Sequence, residues 1–281
     1  MTAQMATVTD GIGKTYRMPA PVTVVLDPRV TLFGADYTPV ADLAKRYPGA
    51  RYTAVYGPRG MPTAAAIGAV PASVQVVSVS FKGTPDPAAI KASLTGARRD
   101  GRLILLEGLH EFNRSRANGG PLAADYHRDM DVIVKTVRAL DPSGEQLGTT
   151  QTYMGYAARH GTGDRDWKLF ARDDVDVVGV DLEWDDKLGT TAYPTPAAFQ
   201  AIGLEIAAFV GRPLAYREFA WRQLASDTDG KGLAKWYVDQ AAYAVAHDVY
   251  AMSIYDTNGS TGQYRLLDGS PALAAVKKII G

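Results

Sequence analysis

The chain has 281 residues, 30 Lys plus Arg against 30 Asp plus Glu, and no cysteine. Zero formal charge offers a polyanion or an anionic membrane surface no electrostatic hold, so neither nucleic acid nor a lipid surface is expected as a partner. Disulfides and thiolate chemistry are excluded, and no run of about 20 apolar residues is present to span a membrane.

Residues 1–10 lack a basic patch followed by an apolar core, so no signal peptide is expected there, and the compartment stays open. Residues 1–29 read as an extended lead-in, with a possible strand over 22–26. Gly13-Lys14-Thr15 matches the tail of a phosphate-binding loop. The full pattern needs Gly where Val8 stands, and a helix where Tyr16-Arg17-Met18-Pro19 reads as extended, so nucleotide binding is rejected.

From residue 31 the pattern becomes regular. Strands are expected over 31–37, 51–56, 74–81, 103–109, 146–154, 175–182, 213–217 and 249–255. Helices are expected over 40–46, 62–67, 87–98, the stretch bearing Leu122, Tyr126, Met130, Ile133, Val137 and Leu140, a short one over 166–172, then 196–210, 233–247 and 271–280. In the helix over 196–210, Phe199, Ile202, Ile206 and Phe209 are expected on the buried side. Strands alternating with helices imply parallel pairing through right-handed crossovers. Eight such units within about 250 residues match a (β/α)8 TIM barrel, a single domain over 30–281. A doubly wound open sheet would carry a Gly-rich turn after its first strand; here Gly34-Ala35-Asp36-Tyr37 lies inside that strand.

Residues 102–113 carry the strongest local signal. Leu103, Ile104, Leu105 and Leu106 form an apolar run without alternation, as in a strand buried on both faces, and the segment ends in His110, Glu111 and Asn113. Ligands of such folds bind beyond the carboxyl ends of the strands. Reading those ends in order gives Asp36, Tyr37, Tyr56, Phe81, Lys82, His110, Glu111, Asn113, Tyr153, Tyr156, Asp181, Glu183, Trp184, Glu218, Trp221, Tyr255, Asp256 and Asn258. Carboxylates and aromatics dominate and cations are few. A phosphate site would need Lys, Arg or free amides. A sugar site needs aromatic faces for stacking and carboxylates for proton transfer. Glu111 and Glu218 stand at the ends of the fourth and seventh strands, where an acid/base and a nucleophile about 5–5.5 Å apart would hydrolyse a glycosidic bond with retention.

Leu109-His110-Glu111-Phe112-Asn113 is similar to the Leu-His-Glu-Met-Asn acid/base motif of glycoside hydrolase family 26, the β-mannanases and relatives, within the 4/7 superfamily of retaining glycoside hydrolases. Arg217-Glu218-Phe219-Ala220 resembles that family's Glu-Phe-Gly nucleophile motif, and residues 175–181 look like its sixth strand. The resemblance implies Glu111 as acid/base, Glu218 as nucleophile and His110 as a residue that orients the site. It spans about residues 32–258 through short motifs. The chain departs from the family at Glu107, where an Arg is usual, at Ala220 for Gly, near Glu183-Trp184 for a Tyr, and at Tyr255 for a Trp.

The expected substrate is a poly- or oligosaccharide. Asp36, Tyr37, His110, Asn113, Tyr153, Asp181, Glu183, Trp184, Trp221, Tyr255 and Asp256 are the candidate binding residues, with no cofactor and no metal. Trp184 and Trp221 read equally as core or as sugar platforms, and Glu183 as a third rim acid or a partner for Arg217 or Arg222. His110-Glu111 does not open a zinc motif, because Arg114 stands where the second His is needed. Asp227-Thr228-Asp229-Gly230 starts like a calcium loop but lacks the Glu at its twelfth position, and reads as a helix-start turn. The alternative function is a non-catalytic glycan-binding or structural barrel, a module of a larger virion or cell-surface assembly attached through the N-terminal segment.

Overall fold

The structure is a computed structural model that describes residues 5–9, 15–19, 31–36, 40–57, 60–97, 101–114, 120–183, 188, 191–259 and 262–281. Eight parallel strands close into a barrel: β1 (Leu32–Asp36), β2 (Tyr52–Gly57), β3 (Val76–Phe81), β4 (Leu103–Gly108), β5 (Leu147–Met154), β6 (Val177–Leu182), β7 (Leu214–Phe219) and β8 (Ala251–Tyr255). β8 bonds to β1 as well as to β7, so the sheet has no open edge. Eight helices follow the strands: α1 (Leu43–Arg46), α2 (Ala64–Gly68), α3 (Pro87–Ala97), α4 (Ala123–Leu140), α5 (Gly155–His160), α6 (Pro196–Val210), α7 (Lys231–Ala246) and α8 (Pro271–Ile280). This is the (β/α)8 barrel expected from the alternation of strand and helix patterns. Within the lead-in, Met5–Thr9 and Thr15–Pro19 pair as an antiparallel hairpin. The expected strand over 22–26 and the candidate residues Tyr37 and Trp184 lie outside the described residues. Among the described residues no helix is long and apolar enough to cross a membrane.

Period-two alternation sends every second strand side chain into the barrel. At the N-terminal end of the strands, Leu32, Tyr52, Val76, Leu103, Leu105, Val177, Ala215 and Ala251 form an apolar plug with Tyr250. The intervening residues, among them Val77, Val79, Ile104, Leu106, Val178 and Val180, pack beneath the helices against Ile90, Leu94, Met130, Ile133 and Phe199. Four residues further along β1, β3, β4, β6 and β8 than the plug, on the same inward parity, stand Asp36, Ser80, Glu107, Asp181 and Tyr255. One alternation therefore makes the barrel dry at one end and charged at the other.

Local chemistry starts the helices. Thr195 caps α6 by accepting from the Ala198 amide at 3.3 Å, Pro196 fills its first turn, and Gly211 ends it at φ 71°. The Asp227 carboxylate accepts the Gly232 and Leu233 amides at 3.0 and 2.7 Å at the start of α7, as a helix-start turn requires.

Three details differ from expectation. The short helix expected over 166–172 is instead α5, followed by two 3-10 turns at Gly163–Arg165 and Trp167–Phe170; Asp166 caps the second through the Lys168 amide at 3.0 Å. Phe209 is 58% exposed, because the buried stripe of α6 passes from Ile206 to Val210 and leaves Phe209 beside it, edge-on to Trp167. β7 continues to Phe219, which brings Glu218 inside the strand.

Candidate active site

The charged end of the barrel is built around a bulge in β7. Tyr216 pairs with Val180 and Met252, and Phe219 pairs with Leu182 and Ile254. Two residues of β7, Arg217 and Glu218, thus oppose one residue on each neighbour, Asp181 and Ser253. In a regular strand consecutive side chains point to opposite faces; a bulge re-aims one of them. Arg217 and Glu218 consequently meet, with Arg217 Nη1 3.2 Å from Glu218 Oε1. The Glu218 amide donates to Asp181 Oδ1 at 3.0 Å, which satisfies a backbone group that the bulge takes out of the ladder.

Arg217 is 1% exposed. Its Nη2 donates to Ser80 Oγ at 2.6 Å and its Nη1 to His110 Nδ1 at 2.9 Å. The other ring nitrogen, Nε2, lies 3.4 Å from the same Arg217 Nη1 and 3.6 Å from Glu218 Oε1. Burial opposes the guanidinium charge, but Glu107, Asp181, Glu218 and Asp36 outweigh it and raise the Arg217 pKa above its ordinary value. His110 is pushed down to about 3, first by burial and then by Arg217, so it is neutral across the physiological range.

The carboxyls around this cation are displaced upward. Glu107 rises to about 7 through burial, opposed by Arg217 and by the hydroxyl of Thr152, which donates to its Oε2. Asp36 rises to about 7 and Glu183 to about 8, each through burial and then repulsion from Glu218. Asp181 rises well above the usual carboxylate range for the same two reasons, and its Oδ2 has no hydrogen-bond partner among the described residues. Crowded acids around one cation share protons near neutrality, which is the electrostatic signature of a site rather than of a surface.

Glu111 sits on a strained turn. Leu109 and Glu111 both take left-handed backbone angles, φ 59° and 53°, which non-glycine residues adopt at a cost of about 1 kcal/mol or more. Glu111 is 8% exposed and forms an ion pair with Arg114. His110, Glu111 and Asp181 bring one ligand atom each within 4.8 Å of one another, a spacing that admits a cation. Two guanidinium groups already serve these acceptors, Arg217 at His110 Nδ1 and Arg114 at Glu111.

The structure divides the sequence candidates. Glu218, His110, Asp181, Asp36, Glu183 and Tyr255 belong to one electrostatic group with Arg217, and Glu111 joins it beside His110 and Asp181. Four candidates also make contacts within the fold. Asn113 bridges β4 to β5, donating to the Met154 carbonyl at 3.2 Å and accepting its amide at 2.8 Å. Tyr153 is fully buried against Phe112 and Trp167. Trp221 is buried against Phe199 and Trp236. Asp256 accepts from Arg46, Tyr47 and the Leu266 amide.

Glu107, Arg217, Ser80, Thr152 and Arg114 were absent from the sequence candidates. Glu107 had a readable signal, a lone acid inside an apolar strand. Arg217 did not, because a regular strand would turn it away from Glu218. Two cavities of about 440 Å³ each open at the strand ends. One is lined by Asn113, Arg114, Met154, Tyr156, His160 and Arg165 among others, and the other by Trp221, Arg222, Tyr264, Leu266 and Leu267 among others.

No family model and no curated protein matches the sequence. Solved structures do match. An engineered protein aligns with a TM-score of 0.56 at 15% identity, over 93% of this chain and 74% of its own. A double mutant of the endo-β-1,4-mannanase of Cellulomonas fimi aligns with a TM-score of 0.55 at 15% identity, over 93% of this chain and 76% of the mannanase. At that identity the shared property is the closed barrel fold, which this chain has in common with a glycoside hydrolase.

Proposed function

We propose that the protein is a retaining glycoside hydrolase in which Glu218 is the nucleophile and Glu111 the general acid/base. The observation that carries the reading is the surroundings of Glu218. It is an acid at the end of β7 with Arg217 and His110 Nε2 directed at one oxygen and the Asp181 carboxyl behind its own amide. Such donors stabilise the carboxylate that must attack and later leave. In the first step the Glu218 oxygen bonds to the anomeric carbon as the glycosidic C–O bond breaks, and the departing oxygen takes a proton from Glu111. Water then gives its proton to Glu111, attacks the same carbon and releases Glu218, so configuration is retained overall. His110, neutral and beside Glu218, positions it rather than exchanging protons.

A panel of aryl glycosides and polysaccharides tests the reading. On an active glycoside, Glu218→Ala should abolish turnover and azide should restore part of it, giving a product of inverted configuration. Glu111→Ala should retain the first step on substrates with good leaving groups and slow the second, with azide giving a product of retained configuration. If both variants keep wild-type rates, the mechanism is wrong. The Glu111–Arg114 ion pair favours a second reading, a non-catalytic glycan-binding module. That reading takes over if glycans bind and none is cleaved.

A further inference from the structure

We infer that the cavity beside Glu111 is a subsite for a sugar unit carrying an oxyanion, a carboxylate or sulfate on the pyranose ring. The inference rests on the glycosidase reading for its placement next to the cleavage point, and its chemistry comes from the lining. The cavity is about 440 Å³ and is lined by Asn113, Arg114, Met154, Tyr156, Ala157, His160, Gly161, Thr162 and Arg165. Two guanidiniums and an imidazole line it, and no carboxylate does. Around Arg217 the arrangement is the reverse, acids about one buried cation.

Two features of the lining arginines bear on what they can hold. The buried Nε–H groups of Arg114 and Arg165 have no hydrogen-bond partner among the described residues, although a buried donor left unpaired is costly. The two arginines also form one unit, because Arg165 Nη1 donates to the Arg114 carbonyl at 3.0 Å and its Nη2 to the Pro121 carbonyl at 2.8 Å. The acids that face them lie outside the lining: Glu111 on Arg114, and the exposed Asp164, 3.6 Å from Arg165 Nη2. Tyr156, 39% exposed and edge-on to His160, offers the aromatic face that a pyranose ring stacks on. An oxyanion bound here shares Arg114 with Glu111 and loosens the ion pair that holds the proposed acid/base. Sugar recognition and release of the catalytic group are thereby the same event.

The test is binding by calorimetry to the Glu218→Gln protein, which separates recognition from turnover. The probes are a β-1,4-linked glucuronate trisaccharide, a 6-sulfated galactose trisaccharide and the neutral glucose trisaccharide. At least one acidic probe should bind about tenfold more tightly than the neutral one at low salt, with the gap closing at high salt. Thr162→Glu adds an acid at an exposed lining position without disturbing the core. It should weaken the acidic probe about tenfold more than the neutral one. Equal binding of acidic and neutral probes, no binding of any, or indifference of the acidic probe to Thr162→Glu would overturn the inference. Hydrolysis of the same probes by the wild-type protein separates the two readings. Acidic binding without cleavage sinks the glycosidase and leaves the subsite; cleavage of neutral glycosides without acidic preference does the opposite.

Discussion

Arg217 organises the barrel mouth because, among the described residues, it is the cation set between Asp36, Glu107, Asp181 and Glu218. Its charge lets several acids coexist in a space where desolvation alone would keep all of them protonated. Glu107 gives the clearest solution readout. Its folded pKa of about 7 lies above the unfolded 4.5, so the stability it contributes is full below about pH 4.5 and is lost as pH rises through about 7. His110 acts in the opposite sense: with its pKa lowered from 6.5 to about 3, its contribution is present above about 6.5 and lost as pH falls toward 3. Glu107→Gln removes the first dependence and keeps the second. Urea unfolding at about pH 5 and about pH 8 should find the variant gaining on the wild type at the higher pH, by on the order of 2 kcal/mol. An equal stability difference at both pH values would show that Glu107 titrates normally.

At the scale of the element, two strands set the chemistry. β4 is buried along its whole length, with Leu106 at 0% exposure among Val79, Ile133 and other core residues. Its continuous apolar run announced this without any tertiary information, since a strand covered on both faces has no polar positions to alternate. Leu106→Asp places an unpaired charge in that core, at a cost of several kcal/mol against a total stability of about 5–15 kcal/mol. Its thermal melt by circular dichroism should lose cooperativity, whereas Leu106→Met should melt within a few degrees of the wild type. A cooperative melt of Leu106→Asp near the wild-type temperature would remove Leu106 from the core. β7 carried no such announcement. Its bulge depends on register against β6 and β8, and register is a property of three strands.

At the scale of the whole molecule, closure depends on a polar clasp at the β8 end. Asp256 is fully buried and accepts Arg46 Nε at 2.5 Å, the Tyr47 hydroxyl at 2.7 Å and the Leu266 amide at 2.6 Å. It ties the strand that completes the barrel to α1 and to the segment before α8. Asp256→Ala would take the buried partner from Arg46, leaving it Asp268 and the Leu266 carbonyl, and would leave the Leu266 amide unpaired; it should cost about 2–3 kcal/mol with little change in glycan affinity. Denaturant titration checks the first effect and calorimetry the second; loss of affinity at unchanged stability would return Asp256 to the binding surface.

The sequence alone determined the architecture and the strand ends at which the candidate residues stand. Hydrophobic period is local, so the eight βα units, the buried fourth strand, and the positions of Glu111 and Glu218 at strand ends were legible from neighbouring residues. The β7 boundary was short by two residues, and α5 was hidden in six residues that begin with Gly155. Tertiary structure decided which polar groups share a space. Tyr153 reads as a rim residue and is buried, and Trp221, which reads equally as core or as platform, is buried too, because their burial depends on Phe112 and Phe199 from other elements. Asp256 reads as a sugar ligand and is a clasp, because its partners are 209 and 210 residues away in the chain. Arg217 reaches His110 across 107 residues. Electrostatic energy depends on distance in space, and chain neighbours report that distance only within a strand or a turn.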